Sequence, residues 1–225
     1  MVPEERYSVR VKFSKVGSLK FISHLDLSRT MKAAFLRAKL PIWYTMGFNP
    51  HPKMVFSLPL SVGTASMCEF MDFMLTEKPD YDEVVRRLNA SFPAELRALC
   101  AYEPQTRFCD IGWAEYTISI ISPEASANMA SEIKKLFDGD VKIQKTTKTG
   151  TKETDISSLC DIIRCEYENG AINIRAMLSC GENSFVNPKY IVEHILSKYP
   201  DLPRGGDYTV CRERVFMSDK KTEFM

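Results

Sequence analysis

The stretch YSVRVKFSK, Tyr7 to Lys15, alternates apolar and polar side chains without a break. Tyr7, Val9, Val11 and Phe13 fall on one face, with Ser8, Arg10, Lys12 and Ser14 on the other, the pattern of a half-buried strand whose outer face is basic. The turn-like KVGSLKF leads into SHLDLSRTMKAAFLRAKL, where Leu27, Met31, Ala34, Phe35 and Ala38 recur at three- and four-residue steps. That period predicts an amphipathic helix, and Pro41 forbids much continuation of it. Downstream, KMVFSLPL and EFMDFMLTE read as strands, PDYDEVVRRLNASF as a helix with Asp80 or Asp82 near its start, and ELRALCAYEP as a closing strand. The order β-α-β-β-α-β is the split-βαβ, ferredoxin-like unit.

The second half repeats the order with different residues. AEYTISIIS is a strand, SPEASANMASEIKKLFDG a helix ending at Gly139, and DVKIQKTTKTGTKETDI a strand with a Lys-rich hairpin tip, one strand more than the first half has. CDIIRCEYENGAINIRAMLS makes two strands that turn at Asn169-Gly170, a dipeptide suited to a two-residue hairpin. NPKYIVEHILSKYP is a helix with Pro188 near its first turn, and DYTVCRERVFM a last strand. The expected fold is α+β: two ferredoxin-like βαββαβ repeats with antiparallel sheets. Residues 1–110 form the first domain, 111–217 the second, and 218–225 a frayed tail.

Of the 225 residues, 44% are hydrophobic and 26% charged, as in a folded globular protein. No run reaches the ~18 apolar residues that span a bilayer, and the charged N-terminus has no secretory core. Seven scattered cysteines without a C-x-x-C spacing argue for reduced thiols in a cytoplasm, and against a disulfide framework or a zinc site. The net charge of +1 hides an asymmetry: residues 1–60 carry ten Lys/Arg against three acids. A first quarter so cationic favours a polyanion as partner, unless those cations are simply solvated.

Within SHLD, Ser23 and Asp26 fit a capping box, which accounts for both without chemistry. His24 is left over, as exposed filler, a phosphate contact or a general base. In GFNPHPK, Gly47 permits positive φ, while Asn49 and His51, each before a proline, are pushed to extended backbone. The loop is therefore stiff, and stiffness reduces the ordering cost of holding a ligand. It presents an amide (Asn49), an imidazole (His51) and an ammonium (Lys53), a set suited to phosphates and base edges. Aromatic residues Tyr7, Phe21, Trp43, Tyr44, Phe48 and Phe56 interleave with the cations. Trp43 and Tyr44 are the expected partly exposed rings for stacking bases, whereas Tyr7 and Phe56 fall on buried faces. Glu69 and Asp72 fall on opposite faces of their strand, so they make no acid pair, and Asp72 is a candidate partner for an internal cation. His194 reads as an ordinary helix-surface residue. Arg10, Lys12, Arg29 and Lys32 complete the candidate RNA-binding surface of the first half, and Lys145 and Lys148 form a phosphate arm at the hairpin tip. None of the common phosphate-loop, dinucleotide, zinc-protease or nucleophile-elbow motifs occurs, so no metal and no cofactor is expected.

Taken together, LKFISHLDLSRTMKAAFLRAKLPIWYTMGFNPHPKMVFSLPLSVGTASMCEFMDFML resembles the radical-SAM-linked protein family, whose members occur alone or fused to radical SAM enzymes. SHLDL and GFNPHPK with the following PL, VG, S, E and D are the hallmark. The likeness is strong from Arg6 to Leu75 and loose from Thr154 to Met217. No CxxxCxxC cluster motif is present, so the resemblance implies a partner of a radical SAM enzyme and not the enzyme itself. The doubled βαββαβ order is also similar in architecture to repeat-associated RNA-processing proteins and to tandem-ferredoxin tRNA pseudouridine synthases. The leading expectation is an accessory module that binds structured RNA, tRNA or rRNA, for a radical SAM enzyme in the cytoplasm. Two alternatives remain: a metal-independent RNA-cleaving or RNA-modifying enzyme using His24, His51 and Lys53, and a protein adaptor that touches no RNA.

Overall fold

The computed structural model describes residues 5–147, 150–181, 184–200, 202 and 208–225. The chain divides into two compact units, residues up to Phe108 together with Met225, and Cys109–Phe224. Both are mixed α+β with antiparallel strand pairing, and the described residues contain four α-helices. No described helix is long and apolar enough to cross a membrane. All seven cysteines are free thiols.

In the first unit, β1 (Tyr7–Lys15) is followed by α1 (His24–Ala38), β2 (Val55–Phe56), β3 (Thr64–Leu75), α2 (Tyr81–Ser91) and β4 (Leu96–Tyr102). β1 lies between β4 and β3, β2 pairs with β3, and every pairing is antiparallel. α1 buries Leu27, Met31, Ala34, Phe35 and Ala38, the five positions its period selects. Phe35 meets Phe73 at 4.8 Å between ring centroids. Each large side chain so buried contributes about 1.5–3 kcal/mol. Asp80 caps α2 by accepting from Asp82 N and Glu83 N. Gly17, at φ +59°, opens the turn before α1, and a Cβ there would lie 2.0 Å from Glu95 Oε1. That carboxylate accepts from Ser18 N, Ser18 Oγ and Leu19 N, so the turn is held against the chain entering β4.

Two expectations fail here. The polar face of β1 is not an open basic surface: Arg10 is 1% exposed, Ser14 is buried and Lys12 is half-buried. β1 is a central strand, and the chain after β4 returns over that face. The strand expected over Met54–Leu60 shrinks to Val55–Phe56, with one further bond from Ser57 N to Phe70 O. Pro59 has no N–H to extend the ladder.

Tyr102 stands opposite Arg10 in the β1–β4 register. Among the described residues its buried hydroxyl has no hydrogen-bond partner, and burial pushes its pKa up to about 12. An orphaned buried hydroxyl costs free energy that phenylalanine avoids. Tyr102→Phe should therefore raise stability by about 1 kcal/mol in urea denaturation; a loss instead would mean the hydroxyl is hydrogen-bonded in solution.

The second unit runs β5 (Ile111–Ile121), α3 (Ala127–Lys135), β6 (Lys142–Thr147), β7 (Gly150–Asp155), β8 (Cys160–Glu168), β9 (Ala171–Ser179), α4 (Lys189–Lys198) and β10 (Tyr208–Met217). The pairing order is β10-β5-β9-β8, again antiparallel. β6 and β7 form a separate hairpin, so this half has two extra strands where one was expected. Asn169 and Gly170 both take positive φ, the requirement of the tightest two-residue hairpin turn. α3 ends at Lys135 and not at Gly139, its last turn tightening into three-residue bonds from Phe137 N to Lys134 O and Asp138 N to Lys135 O. The C-terminal residues are packed, not frayed: Phe224 is fully buried and its N–H donates to Val215 O.

His194 departs from the surface role expected of it. Its half-buried ring lies 5.3 Å from Phe137, and burial lowers its pKa below the ordinary 6.5. The unfolded chain takes up this proton more readily than the folded one. Stability should therefore fall as pH drops through 6.5. Denaturation midpoints between pH 8 and pH 5 should flatten in His194→Gln; an unchanged profile would remove this ring as the cause.

Candidate nucleic-acid interface

The GFNPHPK loop emerges from the end of α1. Lys39 closes the helix in the left-handed conformation, φ 51°. Ile42 then bridges Leu75 and Trp43 N donates to Met74 O, so the chain continues as a short addition to the end of β3. Tyr44 bridges Pro52, which makes the intervening residues a tight hairpin. Thr45 N donates to His51 O at 3.0 Å, and His51 N donates to Thr45 Oγ1 at 3.2 Å. His51 Nδ1 lies 2.9 Å from Asn49 O. A carbonyl only accepts, so Nδ1 carries the proton and Nε2 is the free ring nitrogen. Beyond this brace the tip, Met46 to Pro50, is exposed, and Phe48 is fully so. Gly47 turns the tip at φ 133°.

Lys53 is exposed at the foot of the hairpin, and no carboxylate among the described residues pairs with it. Together with Val55, Ser8, Asp72, Phe73 and Met74 it lines a hollow of about 200 Å³. Tyr44 is 38% exposed, and Trp43 is half-buried beneath the Arg6 guanidinium, 4.3 Å from its ring centroid.

The remaining candidates are scattered. Arg10 donates to Asp72 through Nε (2.7 Å) and Nη2 (2.9 Å), to Thr106 Oγ1 and O, and to the Met225 carbonyl, while Phe108 covers its guanidinium. It is an internal ion pair, with Asp72 as the acid. Lys12 lies 5.7 Å over the Phe70 ring. Arg29 pairs with Asp26 at 3.1 Å on the helix surface. Lys32 is half-buried. In the second unit, Lys145 donates to Phe185 O at 3.4 Å and stands directly opposite Lys152 in the β6–β7 register. Lys148 lies outside the described residues.

At the start of α1, Ser23 caps the helix by accepting from Asp26 N at 3.1 Å and donates back to Asp26 Oδ2 at 2.7 Å. The capping box closes on the serine hydroxyl itself, and these bonds, with Arg29, hold the Asp26 carboxyl below its usual range. His24 packs edge-on to Phe56 at 5.0 Å and lines a hollow of only about 10 Å³ with Lys15 and Glu69, room for about one water. Among the described residues no hydrogen bond, ion pair or ring contact joins His24 to His51.

A family model described as an uncharacterized protein conserved in bacteria (DUF2344) matches residues 8–188. The chain belongs to that family. The match takes in the hairpin and residues of both units, from β1 to the cap of α4. No curated protein matches the chain.

The sequence pattern names Phe48 only among the aromatic residues interleaved with the cations, behind Trp43 and Tyr44, and it does not single out Arg6 or Lys78. Phe48 carried a usable signal: an apolar ring between a glycine and an Asn-Pro pair has no strand or helix period to bury it. Arg6 precedes β1 and Lys78 precedes α2, so no periodicity marks either one.

Proposed function

We propose that the protein is an RNA-binding accessory module, built from two ferredoxin-like repeats, that works with a radical SAM enzyme on tRNA or rRNA. The observation that carries the RNA reading is the braced hairpin, which holds a fully exposed Phe48 at its tip and, at its foot, an exposed Lys53 that pairs with no carboxylate among the described residues. A ring kept in water by a rigid loop is a stacking platform for an unpaired base, and an ammonium at the foot of the same hairpin suits a phosphate of the strand. The opposition of Lys145 and Lys152 points the same way, because like charges across a ladder cost stability that a phosphate would relieve. The repeat reading rests on the strand order: numbering the first unit's strands in chain order gives 4-1-3-2, and so does the second unit with β6 and β7 set aside. The link to a radical SAM enzyme rests on the SHLDL and GFNPHPK resemblance. A cleavage mechanism through His24 and His51 has no contact between the two rings to support it.

Binding of bulk tRNA, followed by fluorescence anisotropy across a salt series, tests the proposal. Affinity should fall steeply with salt, and Lys53→Ala should reduce the log–log slope by about one. Salt-independent binding, or none, would overturn the RNA reading. Capture of a radical SAM protein from nuclease-treated lysate alongside that result would favour the adaptor.

A further inference from the structure

We infer that the first unit carries a binding site for a single nucleotide, a phosphate with its base, in a hollow between the start of β1, the start of α2 and the end of β4. The hollow measures about 430 Å³ and is lined by Arg6, Tyr7, Ser8, Met74, Lys78, Pro79, Tyr81 and Glu103. That volume falls within the range of small-ligand sites. Ser8 and Met74, cross-strand partners on β1 and β3, also line the smaller hollow beside Lys53, so the two adjoin.

The lining divides by chemistry. Arg6 and Lys78 are exposed cations, and among the described residues neither is within ion-pair distance of a carboxylate. Arg6 is also held in place: its guanidinium lies 4.3 Å over the centroid of the Trp43 ring, a cation–π contact that spends none of its N–H donors. A positioned guanidinium and an ammonium at one mouth suit a phosphate. Met74, Pro79 and the half-buried Tyr81 ring supply an apolar wall for a base. Burial raises the Tyr81 phenol's pKa, and the nearby Glu103 carboxylate adds to that rise. A carboxylate only accepts hydrogen bonds, so Glu103 suits the N–H edge of a base, and guanine offers two such donors. Bare phosphate would leave both the apolar wall and Glu103 unused.

The RNA reading bears only on the source of the nucleotide, an unpaired strand or a free nucleoside phosphate, because both present the same chemistry to these residues. The test is calorimetric titration of the full chain with guanosine monophosphate, guanosine and inorganic phosphate, repeated on Arg6→Gln and Lys78→Gln. Guanosine monophosphate should bind saturably and at least tenfold tighter than either fragment. Each substitution, at an exposed position with an unchanged melting temperature, should weaken it roughly tenfold, the loss expected of one charge-assisted hydrogen bond. A guanosine- and uridine-containing RNA hexamer is the second ligand. Displacement of the mononucleotide by the hexamer assigns the site to a strand, and its absence assigns the site to free nucleotides, with the binding chemistry upheld in both cases. Absence of saturable binding, phosphate binding as tightly as the nucleotide, or both variants behaving as wild type would overturn the inference. Lys53→Ala weakening tRNA while Arg6→Gln and Lys78→Gln change nothing would sink this site and leave the RNA proposal standing.

Discussion

Arg10→Met should lower the stability of the first unit by about 3–5 kcal/mol, the range for removing one partner of a buried ion pair. The side chain is 1% exposed, and its donors go to both oxygens of Asp72, to Thr106 Oγ1 and O and to the Met225 carbonyl. Methionine fills most of the volume but donates nothing. It strands a carboxylate that solvent reaches only in part, together with the Thr106 main-chain carbonyl, while Met225 O keeps the hydrogen bond donated by Thr106 Oγ1. Asp72→Leu should cost less than Arg10→Met on the acceptor side but leaves a buried guanidinium, so it too should destabilise strongly. The double variant should recover part of the sum of the two losses, because neither charge is then left alone. The measurement is chemical denaturation in a Trp113→Phe background, which leaves Trp43 as the sole tryptophan and therefore a reporter of the first unit. A loss below about 1 kcal/mol would mean that water replaces the arginine's contacts, and that this face of β1 is open after all.

That arginine marks where the sequence stops being legible. The alternation of Tyr7–Lys15 identifies the strand and its apolar face, since both follow from side chains two residues apart. What covers the other face comes from Thr106, Phe108 and Met225, far along the chain, and no local period encodes them. The same division runs through the molecule. The α1 stripe, the Ser23 cap and the Asn169-Gly170 turn are local devices that read directly from the sequence, and the cap of α2 reads as either Asp80 or Asp82, of which the structure uses Asp80. The shortened strand at Val55 and the packed Phe224 depend on which partner is available across space. Of the candidate site, the loop's stiffness was legible in its prolines. The pairing of Arg29 with Asp26 sits three residues apart on one helix face, and so was in principle legible too. The hollow containing Arg6 and Lys78 was not, because strand pairing gathers it from three separate segments.

Phe48→Ala should leave the melting transition within about 0.5 kcal/mol of wild type, because a fully exposed side chain loses no packing when truncated. The same substitution should weaken binding to an unpaired RNA strand by about 1–3 kcal/mol, or roughly 5- to 150-fold. The size of that effect follows from the loop's construction. Thr45 and His51 tie the hairpin closed before any ligand arrives, so little ordering cost is subtracted from what the ring gains on covering a base. The loss should be insensitive to salt, since it removes a stacking surface and not a charge, whereas the loss in Lys53→Ala should shrink as salt rises. Anisotropy titrations of both variants at two salt concentrations separate the two signatures. Equal salt dependence for both would mean that the loop offers only charge. Unchanged RNA affinity in Phe48→Ala would remove the exposed ring as a stacking platform and point to a protein, not RNA, as what the hairpin contacts.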